Sequence, residues 1–194
     1  MSRSVLIITG DGGESYEALY AVHRLREAGM KPIVAAPERK SLHLVQHDFE
    51  PGWDTYIERA GYRLDSDIAF REVRVDDYSA VLVLGGRAPE YLRNDARVLE
   101  IVRAFHESGK WVFAICHGIQ VLVTAGLARG NVLTCYEHVR CDVEAAGGTW
   151  DPRQAVRSGR IVTAQTWQSH PEFYREVFQC LAGPGEGRSG GEQG

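Results

Sequence analysis

No apolar run in this sequence approaches the roughly 18 residues that a membrane-spanning helix requires. The longest are Val81–Leu84 and Trp111–Cys116. Basic residues are not in excess: 22 Lys and Arg against 26 Asp and Glu leave a formal charge of −4. Without a positive field to neutralise phosphates, the composition argues against a nucleic-acid partner. Four cysteines, at 116, 135, 141 and 180, include no C-x-x-C pair, so neither a zinc knuckle nor a thioredoxin motif is present. No G-x-x-x-x-G-K-[ST] occurs, and no H-x-x-x-H or acidic pair offers metal-ligand spacing; no cofactor and no metal are expected. His23, His43, His106 and His138 lack partners at ligand spacing and are read as surface residues. The N-terminal apolar run, Val5–Ile8, is too short for a signal peptide and has no cleavage-site pattern. A cytoplasmic location with reduced thiols is the expectation.

What remains is ample for one domain: 194 residues, 44% hydrophobic. Short β-branched runs alternate with longer amphipathic stretches. Val5–Thr9, Lys31–Ala36, Tyr78–Leu84, Trp111–Ile115, Asn131–Cys135 and Ile161–Thr166 read as strands. Ser15–Gly29, Ala96–Ser108, His117–Leu127, Val139–Ala146 and Pro171–Leu181 read as helices. Residues 38–78 are the least regular part, and His47-Asp48-Phe49 and Pro51-Gly52-Trp53 within it read as a loop-rich insertion. Strand and helix in alternation predict an α/β fold, a doubly wound and mostly parallel sheet sandwiched by helices. Residues 1–182 form a single domain in this reading. Residues 183–194, with six glycines and no large apolar side chain, are expected to be a disordered tail.

Ligands in such sheets bind at the carboxyl ends of strands. Gly10-Asp11-Gly12-Gly13 ends the first strand, but Ser15 stands where G-x-G-x-x-G needs its third glycine, so this reads as a flexible turn. Trp111-Val-Phe-Ala-Ile115 runs directly into Cys116-His117-Gly118. A thiol on a sharp strand-to-helix turn has the geometry of a nucleophile elbow, where the helix N-terminus favours thiolate; the alternative is a buried core cysteine. Gly85-Gly86-Arg87-Ala88-Pro89-Glu90 ends another strand. Its paired glycines allow a backbone N–H to face an oxyanion, and Pro89 starts a short helix. Glu90 is either a residue of the site mouth or a first-turn carboxylate favoured by the helix dipole. Glu17 borders the apolar stripe Ala18, Ala21, Val22, Leu25 and Ala28, where a carboxyl tends to keep its proton. His170-Pro171-Glu172 reads as a helix start, although with Cys116 it also resembles the Cys-His-Glu triad of class I glutamine amidotransferases.

Taken together, Glu14-Ser-Tyr-Glu17, Gly85-Gly-Arg-Ala-Pro-Glu90 and Ala114-Ile-Cys-His-Gly118 resemble the ThiJ/PfpI superfamily over about residues 3–182. That superfamily includes parkinsonism-associated deglycase-like proteins, glyoxalase III enzymes and PfpI-type intracellular peptidases. The His47-Asp-Phe49 insertion and Thr163-Ala-Gln-Thr-Trp-Gln-Ser-His-Pro-Glu-Phe173 look most like the plant-type glyoxalase III branch. Ser15 and Ile119 depart from the usual residues, and the last loop lacks the arginine-proline pattern of the peptidase branch. The resemblance implies a flavodoxin-like fold, related to class I glutamine amidotransferases. It implies Cys116 as nucleophile, Glu17 as its protonated carboxyl partner and His117 as the adjacent imidazole. Glu90 would orient the histidine, in PfpI-type oligomers from a neighbouring subunit. The N–H groups of Gly86 and His117 would form the oxyanion site, with Gly85 beside them.

The function expected is therefore a glutathione-independent glyoxalase III-type enzyme, or a related deglycase, acting on small reactive dicarbonyls. A PfpI-type cysteine peptidase, or a glutaminase-like site using His170 and Glu172, is the alternative enzyme. A non-catalytic thiol redox sensor or stress chaperone is the alternative outside catalysis. Leu19 and Tyr20, off the buried stripe of the first helix, suggest a homo-oligomer.

Overall fold

The computed structural model describes residues 4–182; the tail expected at 183–194 lies outside the described residues. In chain order the elements are β1 (Ser4–Ile8), α1 (Ser15–Glu27), β2 (Lys31–Ala36), β3 (Ser41–Asp48), β4 (Ile57–Asp65), β5 (Ile68–Ala69) and β6 (Ala80–Val83). They continue as α2 (Ala88–Leu92), α3 (Ala96–Glu107), β7 (Trp111–Ile115), α4 (Ile119–Thr124), β8 (Val132–Leu133) and α5 (Arg140–Ala145). The last four are β9 (Thr149–Trp150), β10 (Ala155–Ser158), β11 (Ile161–Ala164) and α6 (His170–Leu181). No helix among the described residues is long and apolar enough to cross a membrane.

The main sheet has seven strands in the order β10-β11-β7-β6-β1-β2-β5. All pairs are parallel except β10 with β11. The central strands are apolar throughout because helices cover both faces. Side chains alternate between those faces. Leu6, Ile8, Val81, Val83, Val112 and Ala114 pack towards Val98, Ile101 and Phe105 of α3. Val5, Ile7, Ala80, Leu82, Phe113 and Ile115 pack towards Ala18, Val22 and Leu25 of α1 and Phe173 and Val177 of α6. The chain adds β2 on one side of β1 and then returns to lay β6 on the other. That reversal between β1 and β6 opens a crevice at the carboxyl ends of the strands.

Residues 38–78 are not loop-rich. Most of them form a long antiparallel hairpin, β3 with β4, registered Ser41 with Asp65 and Asp48 with Ile57 and bulged between His43 and Val45. The residues singled out around Pro51-Gly52 occupy its tip. The hairpin is hung on the β1–α1 turn: the Gly12 N–H donates to the His43 carbonyl at 2.8 Å, and the Val45 N–H to the Gly13 carbonyl at 2.9 Å. This attachment brings β3 beside the first turn of α1. A second small pair, β8 with β9, lies outside the main sheet.

Candidate active site

Three strand ends meet at the switch point. Cys116 follows β7 in a tight turn, Cys116–Gly118, that leads into α4. Its φ is +58°, and no other non-glycine residue among those described has positive φ. A side chain in that conformation costs on the order of 1–3 kcal/mol and is typical of functional turns. The elbow read from the sequence is present.

Glu17 comes from the first turn of α1 and is 0% exposed. Its Oε2 accepts the Gly85 N–H at 2.7 Å, and the carboxyl hydrogen-bonds the Cys116 thiol. Oε1 has no partner. An ionised carboxylate with an orphaned oxygen in a dry site is costly, so Glu17 holds a proton. Burial pushes its affinity for that proton well up, and the neighbouring Glu14 carboxyl pushes further. Glycine at 85 is required by close approach: a Cβ there would lie 2.6 Å from the Cys116 Cβ and 2.9 Å from Glu17 Oε2. Gly86, at φ +74°, passes so near the β1–α1 turn that a Cβ would meet the Gly12 carbonyl at 2.3 Å. The Gly10–Gly13 turn is thus filled by the loop after β6 and is not an open phosphate cradle.

The Cys116 side chain is 6% exposed. The backbone N–H groups of His117 and Gly86 both point at its sulfur, where sequence reasoning put the oxyanion donors. Burial pushes the thiol up and an ionised Glu17 would push it further, against those two N–H groups. The helix N-terminus alone, on which the expected thiolate preference rested, meets an opposing desolvation cost. The pair shares one pocket, and the two N–H groups make sulfur the better place for a negative charge while Glu17 keeps its proton.

His117 Nδ1 lies 3.3 Å from Sγ. Burial, then the nearby His47, hold this imidazole down at about 4, so it is neutral at pH 7. Aromatic rings enclose it: Tyr136 at 5.2 Å and Tyr56 edge-on at 5.9 Å between centroids. Tyr56 sits at the start of β4's arm and stacks on His47 at 3.9 Å. Burial and the nearby Cys116 push its phenol up to about 12. The hydroxyls of Thr55 and Tyr136 are 3.0 Å apart, joining the hairpin tip to the loop before α5. Trp167 Nε1 donates to the His47 carbonyl at 3.0 Å, closing the other side.

Neither Glu90 nor His170 hydrogen-bonds Cys116 or His117 among the described residues. Glu90 is exposed on α2, near enough to Tyr56 to influence it, but its carboxylate makes no hydrogen bond to His117 within the chain. His170 does start a helix, and that is its role within the chain: it is buried at the head of α6, stacked on Tyr20 at 4.4 Å and edge-on to Tyr16 at 5.2 Å. Glu172 pairs with Arg175 at 2.9 Å. A Cys116–His170–Glu172 triad is therefore not assembled, because α6 turns the imidazole into an aromatic cluster. Tyr20, expected to face a partner, is half-buried by His170 and Tyr174 of its own chain. Sequence reasoning missed Glu14, His47, Tyr56, Tyr136 and Trp167. Glu14 left a signal as the residue three before Glu17, at the N-cap of α1, and His47 and Trp167 stand within the stretches that carry the family resemblance.

The chain as a whole is similar to known proteins. A family model described as the DJ-1/PfpI family matches residues 3–180. The chain belongs to the DJ-1/PfpI family. It is 36% identical over 189 residues to DJ-1 homolog D of Arabidopsis thaliana, covering 94% of this chain but only 48% of that protein, so it spans about half that relative's length. A deglycase of Thermococcus kodakarensis is 34% identical over 177 residues, 91% of this chain and 98% of its own. Among solved structures, a ThiJ/PfpI domain protein of Brachyspira murdochii superimposes with a TM-score of 0.82 at 21% identity, over 94% of this chain and 98% of that one. At that identity the likeness concerns the fold, which is the α/β sandwich read from the sequence.

Proposed function

We propose that this DJ-1/PfpI family member is a glutathione-independent glyoxalase III-type enzyme, or a deglycase of the same chemistry, acting on methylglyoxal or glyoxal. One observation carries the reading: a fully buried Glu17 carboxyl, pushed by burial towards its protonated form, is hydrogen-bonded to a thiol that two backbone N–H groups face. The Cys116 thiolate adds to the aldehyde carbon, and the oxygen that becomes negative is received by the N–H groups of His117 and Gly86 and then protonated. The hemithioacetal gives up the proton on its former aldehyde carbon, either to Glu17 once ionised or to the neutral His117. An enediol forms, and return of a proton to the neighbouring carbon leaves a lactoyl thioester. Water cleaves that thioester, releasing lactate (glycolate from glyoxal) and the free thiol. The sum is substrate plus one water, with no external oxidant or reductant. A hemiaminal or hemithioacetal adduct would enter once its amine or thiol has left, taking up the hydroxyl proton, and the regenerated free aldehyde meets the same thiolate attack.

Enclosure favours a small substrate. With Cys116 6% exposed beneath Tyr56 and Tyr136, a two- or three-carbon aldehyde can reach sulfur far more readily than a folded or extended polypeptide. The Thermococcus relative is named a deglycase, which supports the deglycase form of this reading. Amide hydrolysis by Cys116 with His117 has the 3.3 Å contact in its favour and is the second reading. In our reading Glu90 reaches His117 only from a neighbouring copy of the chain. The test is incubation with methylglyoxal in the absence of glutathione, following substrate loss and lactate. Turnover abolished by Cys116→Ala is expected; peptide or glutamine hydrolysis without methylglyoxal loss would put the second reading first.

A further inference from the structure

One buried carboxyl has no part in the chemistry just described. Glu14 caps the N-terminus of α1: its Oε2 accepts the Glu17 N–H at 2.6 Å, and the N–H groups of Tyr16 and His47 also point at it. It is 2% exposed. Helix capping does not explain the residue, because Asp, Asn, Ser and Thr cap better with shorter side chains. What Glu14 brings is a carboxyl one helical turn from Glu17, both of them in the interior. We propose that Glu14 is a switchable positioning residue that acts on Cys116 through Glu17, opposing loss of the Glu17 proton and so damping how steeply the reactivity of the thiol varies with pH. This rests on the reading of Cys116 and Glu17 as a thiol and its proton-holding partner.

The groups facing the two carboxyls are few. From α1 come the other glutamate and, at Glu14, the N–H groups of Tyr16 and Glu17. From β3 come the His47 N–H and the Asp48 charge. The loop after β6 gives the Gly85 N–H, the elbow after β7 gives Cys116, and α6 presents Tyr174, whose phenol the Glu17 charge would push up. No Lys or Arg among the described residues forms an ion pair with either carboxyl. Glu14 therefore feels opposed influences: burial and Asp48 favour its neutral form, while three N–H donors favour its anion. The balance leaves it at about 7.

Proton exchange at Glu14 does not depend on the site mouth. Glu14 borders a cavity of about 230 Å³ that Tyr16, Gln46, His47 and Trp167 also line and that neither Glu17 nor Cys116 reaches. That is room for several waters at roughly 30 Å³ each. Above neutrality the Glu14 anion opposes loss of the Glu17 proton and also opposes thiolate formation. Below neutrality Glu14 is neutral and the restraint is lifted, just as falling pH makes thiolate scarcer. The two trends offset each other, so Glu17 keeps its proton over a wider alkaline range and the thiol's reactivity varies less steeply with pH.

The experiment is the rate of Cys116 alkylation by iodoacetamide against pH, read by peptide mass spectrometry on the full chain. It compares the wild type, Glu14→Gln and Glu14→Asp. Gln keeps the acceptor for the Glu17 N–H but loses the charge; Asp keeps both. Glu14→Gln is expected to alkylate about tenfold faster at pH 8.5, a midpoint lower by about one unit as for removal of a close like charge. It is also expected to lose the inflection near neutrality, whereas Glu14→Asp retains the wild-type curve. If Glu14→Gln fails to fold, Glu14→Asn, a strong cap without charge, carries the same expectation. Superimposable curves for wild type and the neutral variant, or an equal shift in Glu14→Asp, would overturn the proposal. Alkylation needs no turnover, so a wild type that leaves methylglyoxal untouched would refute the enzyme reading and leave this test standing.

Discussion

At Cys116 the chain accepts a left-handed conformation so that one sulfur can meet one carboxyl and two N–H groups. The contact leaves no room for an added methyl at Gly85, where a Cβ would press on Cys116 and Glu17 together. Gly85→Ala is expected to lower stability by about 1–3 kcal/mol, as overpacking does. It should reduce methylglyoxal turnover by about 10²-fold through displacement of the sulfur. Thermal unfolding and steady-state rates check the two effects separately. Near-normal turnover in a stable variant would mean that the thiol–carboxyl contact is not needed. Cys116, His117, Gly85 and Gly86 were all legible in the sequence, because a strand that ends in a small-residue turn dictates where its next side chain points. The enclosure was not legible. Tyr56, Tyr136 and Trp167 come from three separate loops, and nothing local to any of them marks their meeting.

Among the elements, α6 shows how a titratable group serves packing. Burial alone holds His170 at about 4, against an ordinary value of 6.5. A depressed folded-state value means that neutral His170 contributes stability above about pH 6.5 and that this is lost as pH falls towards 4, where the unfolded chain takes up the proton first. Glu14, raised to about 7, has the opposite sign: its contribution is full below 4.5 and lost as pH rises through 7. The His170 share is isolated by comparing wild type with His170→Phe. The stability advantage of the wild type should shrink between pH 8 and pH 5 in thermal unfolding. A constant difference would show that His170 is not a neutral, buried ring. The head of α6 was readable from Pro171, but its cage was not. The β3–β4 hairpin escaped for another reason. β4 is mostly exposed and carries Glu, Arg, Gly and Asp, so the apolar alternation that marks a strand is absent there. Its partner β3, with Leu42, Leu44 and Val45 buried, carries the anchoring.

At the scale of the molecule, strand order decides everything else. Because β6 and β2 flank β1, the turns after β1, β6 and β7 share one end of the sheet, and residues 17, 85 and 116 become neighbours. The alternation of strands and helices predicted this class of fold. The antiparallel edge strand β10 and the two-residue β9 are too short to leave a periodic signal, whereas β8 lies within the strand read at Asn131–Cys135. Among the described residues no carboxylate hydrogen-bonds His117, although the Asp142 charge acts on it, and Glu90, Tyr16, Trp53 and Tyr62 are exposed. If Glu90 acts across an interface, light scattering should show an oligomer, and a dissociated form should lose activity together with it. A fully active monomer would remove Glu90 from the site.

The proton on Glu17 is the centre of this account, and its replacement by glutamine is the most direct test. Glutamine keeps a hydrogen bond to the thiol but cannot take up or release a proton. Steady-state conversion of methylglyoxal to lactate by Glu17→Gln should fall by at least about 10²-fold, while Cys116 remains readily alkylated by iodoacetamide. Conversion near the wild-type rate would contradict the account.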